Sequence, residues 1–126
     1  MLPDHLHCLW TLPPGDADFA TRWSLIKRKV SVLCRENYRR PEWRKASMQK
    51  RRESTIWQRR YWEHRIRDER DYARHVDYIH YNPVRHGHSR TPSEWPYSTV
   101  HRCIAAGVLP ADWGASAIPI DGEFGE

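Results

Sequence analysis

The first apolar pattern of the chain alternates. In "PDHLHCLW", Leu6, Cys8 and Trp10 fall on one side of an extended segment and His5 and His7 on the other, because successive side chains of a strand point to opposite faces. This predicts a strand with a buried side and an imidazole side. "TLPPGDAD" follows, where Pro13, Pro14 and Gly15 end extended structure and Asp16 or Asp18 can cap a helix. The apolar spacing then changes. Phe19, Trp23, Ile26, Val30 and Leu33 recur at steps of four, three, four and three, the stripe of an amphipathic helix facing a core.

Between Arg35 and Arg52 the period is lost. Eight basic residues stand there against Glu36 and Glu42, which predicts a long basic loop. "TIWQRRYWEHRI" reads as a strand of β-branched and aromatic residues. "RDERDYARHVDYIHYNPV" reads as a helix with Asp68 as N-cap and Tyr72, Val76 and Ile79 as its core stripe. That helix should end near Asn82, since the residue before Pro83 avoids helical angles. A short helix is expected from Ser98 to Ala106. The domain is read as residues 1–113, followed by an irregular tail over 114–126.

A helical residue turns by about 100° from the one before it. With Tyr72 taken as zero, Val76 and Ile79 fall within about 40° of it, while Asp71, His75, Tyr78 and Asn82 form a polar stripe along the border of that face. Tyr81 lies almost opposite. A border stripe can hold polar groups over a cleft, half desolvated and half open, which makes Tyr78 the tyrosine best placed for chemistry. A tyrosine that packs its ring and leaves its hydroxyl in water is the commoner case.

At 126 residues the chain supports one domain. Its 21 Lys and Arg against 16 Asp and Glu leave a net charge of +5, clustered so as to favour a polyanionic partner, nucleic acid first. A solvated basic face accounts for the charge excess equally well. Cys8, Cys34 and Cys103 are odd in number and widely spaced, so neither a disulfide framework nor a cysteine zinc site is indicated, and a reducing cytoplasm is expected. No apolar run approaches the ~18 residues of a membrane helix, and no membrane partner is expected.

Two neutral imidazoles on one strand face can begin a divalent metal site, with Asn82, one turn beyond Tyr78, as an oxygen donor. Two histidines flanking one residue are a weak signal in a chain with eight His. The other six, His64, His75, His80, His86, His88 and His101, lack so clean a partner.

Longer motifs are more specific. "PDHLHCLWTLPPGDADFATRW", "IWQRRYWEHRIRDERDYARHVDYIHYNPVRHG" and "WPYSTVHR" resemble, in order from Pro3 to about Trp113, the REP-associated tyrosine transposases, single-tyrosine members of the HUH (His-hydrophobic-His) endonuclease superfamily. The resemblance implies an α+β, ferredoxin-like HUH domain with an antiparallel sheet and flanking helices. It implies His5 and His7 as the metal pair, Tyr78 as nucleophile and Asn82 as the polar third ligand. It further implies that a strand, a helix and a strand precede the histidine motif. Because the histidine pair follows so closely on Met1, those elements are expected to be missing, leaving exposed strand edges and poor solubility or association with another chain.

By this resemblance the chain is expected to cleave and rejoin single-stranded DNA at palindromic hairpins, acting as a monomer on the DNA. Mg²⁺ or Mn²⁺ on His5, His7 and Asn82 would polarise the scissile phosphate, and Tyr78 would form a 5′-phosphotyrosine intermediate. Arg39, Arg40, Arg44, Lys45, Lys50, Arg51 and Arg52 would hold phosphates, with Trp43 as a stacking platform for unpaired bases; Trp57 is read as core. The alternative is a truncated relative that binds structured DNA without catalysis.

Overall fold

The computed structural model describes residues 1–34, 37, 40, 42, 45–50, 55–57 and 61–116. Among them the chain forms four α-helices, α1 (Phe19–Leu33), α2 (Ala46–Lys50), α3 (Glu69–Arg85) and α4 (Val100–Ala105), and a 3-10 turn, η1 (Pro92–Glu94). They fall into two compact units, one of Met1–Trp10 with Glu63–Glu126 and one of Thr11–Trp62. Among the described residues no helix is long and apolar enough to cross a membrane.

The first unit is built around α3. Asp68 caps it as expected, its carboxylate accepting from Asp71 N at 2.8 Å. Pro83 lies inside the helix, which runs one turn past the expected stop. Proline removes only the bond its own N–H would make to Ile79, and the turn after it is closed by another device. Gly87, at φ +71°, donates to Val84 O at 2.9 Å, and His88 N donates to Pro83 O at 2.8 Å. That pair of bonds is a Schellman closure, whose left-handed position glycine fills without steric cost. α4 closes in the same way, with Gly107 N on Ile104 O at 2.9 Å and Val108 N on Cys103 O at 2.9 Å.

α3 packs on η1, and η1 on α4. Among the described residues, Tyr78, Asn82, Pro83, Pro92 and Val100 are the largest fully buried side chains. His80 is buried with them, its Nε2 3.0 Å from Thr99 Oγ1 and its ring edge-on to Trp113. Burial holds its pKa below the ordinary imidazole value.

The inward face of α3 differs from the expected one. Tyr72 is 54% exposed and Val76 and Ile79 are half-buried, whereas Asp71, Tyr78 and Asn82 of the polar stripe are buried. Polar groups can occupy the inside because each of the charged or amide groups there meets a partner, which offsets its desolvation.

No strand forms among the described residues. Residues 1–10 make a turn, Leu2 N on His5 O at 2.9 Å, and continue without a ladder; residues 61–67 are irregular and have no ladder either. A strand exists only as half of a hydrogen-bonded pair, and the described residues supply neither segment with a partner. The anticipated burial of Leu6, Cys8 and Trp10 is likewise not seen: Cys8 and Trp10 are exposed, Leu6 is half-buried, and Leu2 is the buried apolar residue of the segment. The expected antiparallel sheet is therefore absent from the described residues. The segment is held by Trp95 Nε1, which donates to Met1 O at 2.8 Å.

In the second unit Asp18 caps α1, accepting from Thr21 N at 3.0 Å. None of α1 is buried: Phe19, Trp23 and Val30 are half-buried, while Ile26 and Leu33 of the expected core stripe are exposed. Trp57, read as core, is half-buried against α1, its Nε1 donating to Lys27 O at 3.1 Å and Ser31 Oγ at 3.0 Å. The Lys27 ammonium lies over the rings of Trp23, Trp57 and Tyr61 at 6.0, 5.7 and 5.5 Å. α2 falls within the stretch read as a loop.

Candidate active site

The first unit brings together residues far apart in sequence. His5 Nε2 lies 3.2 Å from Asn82 Oδ1, and His5 Nδ1 lies 2.7 Å from the Asp4 carboxylate. The rings of His5 and His7 meet edge-on at 5.1 Å, and those of His7 and Tyr78 at 5.2 Å. Tyr78 and Asn82 owe their common direction to four-residue spacing on α3, which puts them one turn apart on one face. His5 and His7 are presented by the short turn at the start of the chain. Asn82 is 0% and Tyr78 1% exposed, so the tyrosine is buried and not half open. His7 Nε2 and the Tyr78 hydroxyl are shielded from solvent.

The donor set suits a divalent ion. A carboxylate on Nδ1 favours the tautomer whose Nε2 lone pair is available to a metal, and Nε2 lies beside Asn82 Oδ1 as two ligands of one ion would. The hydrogen bond from His5 holds the exposed Asp4 carboxyl below its ordinary pKa.

Two further residues belong to the cluster, and sequence reasoning did not single out either. The Arg85 guanidinium lies over the Tyr78 ring at 5.5 Å, and the His86 ring meets that of His5 at 5.1 Å. The available signal was spacing: Arg85 follows Tyr78 by seven residues and His86 follows Asn82 by four. Ending the helix at Asn82 hides it.

The basic residues are placed less fully. Arg40 and Lys45 are exposed, and Arg40 N donates to Thr55 Oγ1 at 3.1 Å. Lys50 ends α2. Arg39, Trp43, Arg44, Arg51 and Arg52 lie outside the described residues.

No family model matches the chain. It is 45% identical over 113 residues to the REP-associated tyrosine transposase of Escherichia coli K12, covering 90% of this chain and 58% of that protein. It is 45% identical over 120 residues to a protein of Haemophilus influenzae described in the same terms, covering 92% of this chain and 64% of the other. A solved structure of a REP-associated tyrosine transposase bound to a REP hairpin superposes with a TM-score of 0.66 at 39% identity, covering 91% of this chain and 61% of that one. Along about nine tenths of its own length the chain is thus similar to the REP-associated tyrosine transposases, and it spans about three fifths of the length of the relatives it matches.

Proposed function

We propose that the chain carries the catalytic centre of a metal-dependent, single-stranded DNA transposase of the HUH type, acting at hairpin DNA. The observation that carries this reading is the convergence of His5, His7 and Asn82 beside Tyr78. The hairpin-bound relative supports the choice of DNA partner.

In the proposed step the Tyr78 phenolate oxygen attacks the scissile phosphorus. A phosphorus–tyrosine bond forms, the bond to the 3′ oxygen breaks, and that oxygen takes a proton to leave a free 3′-hydroxyl. The phosphodiester energy is retained, so a 3′-hydroxyl can reverse the step and rejoin strands. An Mg²⁺ or Mn²⁺ ion on His5, His7 and Asn82 would supply positive charge at a nonbridging phosphate oxygen. Asp4 orients His5 for that role. Arg85 favours the anionic form of a phenol whose pKa is ~10 in water. Because the hydroxyl is shielded, DNA binding has to open the Tyr78 pocket before attack. Arg40, Lys45 and their basic neighbours in sequence would hold the DNA backbone.

The test is incubation of the chain with labelled hairpin-bearing single strands and Mn²⁺, followed by a denaturing gel. A protein–DNA adduct that disappears with EDTA and in Tyr78→Phe supports the reading. Binding of equal strength in wild type and Tyr78→Phe, with no adduct in either, would instead assign a binding module.

A further inference from the structure

A second group of ligating side chains lies at the start of α3, sharing no residue with the cluster at Tyr78. Asp71 and His75 are four residues apart, which puts both on one face of the helix a turn apart, and His64 reaches them from the segment that leads into α3. His64 Nε2 is 2.8 Å from Asp71 Oδ2, and His75 Nδ1 is 3.2 Å from Asp71 Oδ1. The three donor atoms lie within 4.8 Å of one another. The two imidazoles stack at 4.4 Å with their planes 14° apart. The Asp71, His75 and His64 side chains are 7%, 12% and 25% exposed.

The two carboxylate oxygens are used differently. Oδ2 takes His64 together with Arg67 N at 3.1 Å and Arg67 Nε at 3.3 Å. Oδ1 faces His75, whose Nδ1 also lies 2.8 Å from Asp71 O. A buried carboxylate with an imidazole on each oxygen is a donor set of two nitrogens and one oxygen. It matches the three protein ligands of an open zinc site and contrasts with the oxygen-rich sets that suit Mg²⁺.

We propose that His64, Asp71 and His75 form a second metal site, for Zn²⁺ or an ion of similar ligand preference, which pins residues 63–67 to the first two turns of α3. Use of His75 Nδ1 as ligand requires the tautomer with its proton on Nε2. The ion replaces the hydrogen bond to the Asp71 carbonyl and adds a bridge between segments already joined by the His64–Asp71 contact and the stacked imidazoles. Water would complete the tetrahedron, and the ion's part is to hold the fold. It stabilises the N-terminal half of the helix that carries Tyr78, and it stands apart from the Mg²⁺ or Mn²⁺ reading of the histidine pair.

The experiment is a Zn²⁺ titration of the whole chain by calorimetry, repeated with Co²⁺ and read by visible absorption, in wild type and in a His5→Gln/His7→Gln variant. We expect the variant to retain one Zn²⁺ per chain, with a tetrahedral Co²⁺ spectrum and a raised Tm. His64→Gln and His75→Gln should each weaken binding at least about tenfold, the lower end of what loss of even an outer-sphere partner costs. No Zn²⁺ retained by the His5→Gln/His7→Gln variant at micromolar metal, or binding indifferent to both ligand changes, would show a hydrogen-bonded network only. If His75→Gln fails to fold, the titration of the His5→Gln/His7→Gln variant still decides the question.

Discussion

Arg85 is the residue whose contribution to the candidate site is most open to measurement. Its guanidinium lies 5.5 Å from the Tyr78 ring centre, and its side chain is exposed, so its removal spares the core. A cation over a phenol favours the phenolate, and losing it moves deprotonation to higher pH. Arg85→Ala should therefore slow adduct formation at neutral pH by about tenfold, the size of a 1.4 kcal/mol effect, and shift the pH–rate profile toward alkaline values. Arg85→Lys should restore part of the rate. An Arg85→Ala profile that coincides with wild type would remove this residue from the mechanism.

At the scale of the element, α3 holds both candidate sites, and its closure depends on Gly87. An alanine there must adopt φ near +71°, a left-handed angle that costs a residue with a Cβ about 1 kcal/mol or more. Gly87→Ala should lower unfolding free energy by about that amount in urea, with m unchanged. The same helix shows what the sequence discloses. Its N-cap, its register and the shared face of Tyr78 and Asn82 follow from spacing. Its buried face does not, because apolar periodicity cannot report that Asp71 will meet His64 or that Asn82 will meet His5 across 77 residues of chain. Its end does not follow from Pro83 alone, because the closing bonds at Gly87 and His88 carry the helix one turn further and bring Arg85 and His86 to the site. The likeness to the REP-associated tyrosine transposases was legible in long motifs. The strands expected for it were not found in the described residues, since a ladder depends on a partner that local sequence does not name.

At the scale of the whole molecule, protonation and salt provide the tests. Burial depresses the His80 pKa below 6.5, so the fold resists a proton that the unfolded chain accepts. Its contribution is complete above that unfolded value and is lost as pH falls through the depressed folded value. Stability should therefore decline below about pH 6.5, and His80→Gln should flatten that part of the urea-midpoint profile. The net charge of +5 predicts DNA affinity that falls with salt. Replacing Arg39, Arg40, Arg44, Arg51 and Arg52 with alanine should reduce the log–log salt slope by about 0.7 for each single-strand phosphate that is no longer neutralised. The chemistry of DNA that still binds should persist. An unchanged slope would show that this segment does not hold the backbone.

In the proposed reaction Tyr78 is the attacking group of a centre completed by His5, His7 and Asn82. The most direct measurement is to digest the protein–DNA adduct and locate the modified residue by mass spectrometry. A nucleotide phosphate is expected on Tyr78, formed only with divalent metal present. Attachment at Tyr81 or any other residue, or an adduct that forms equally well in EDTA, would contradict it.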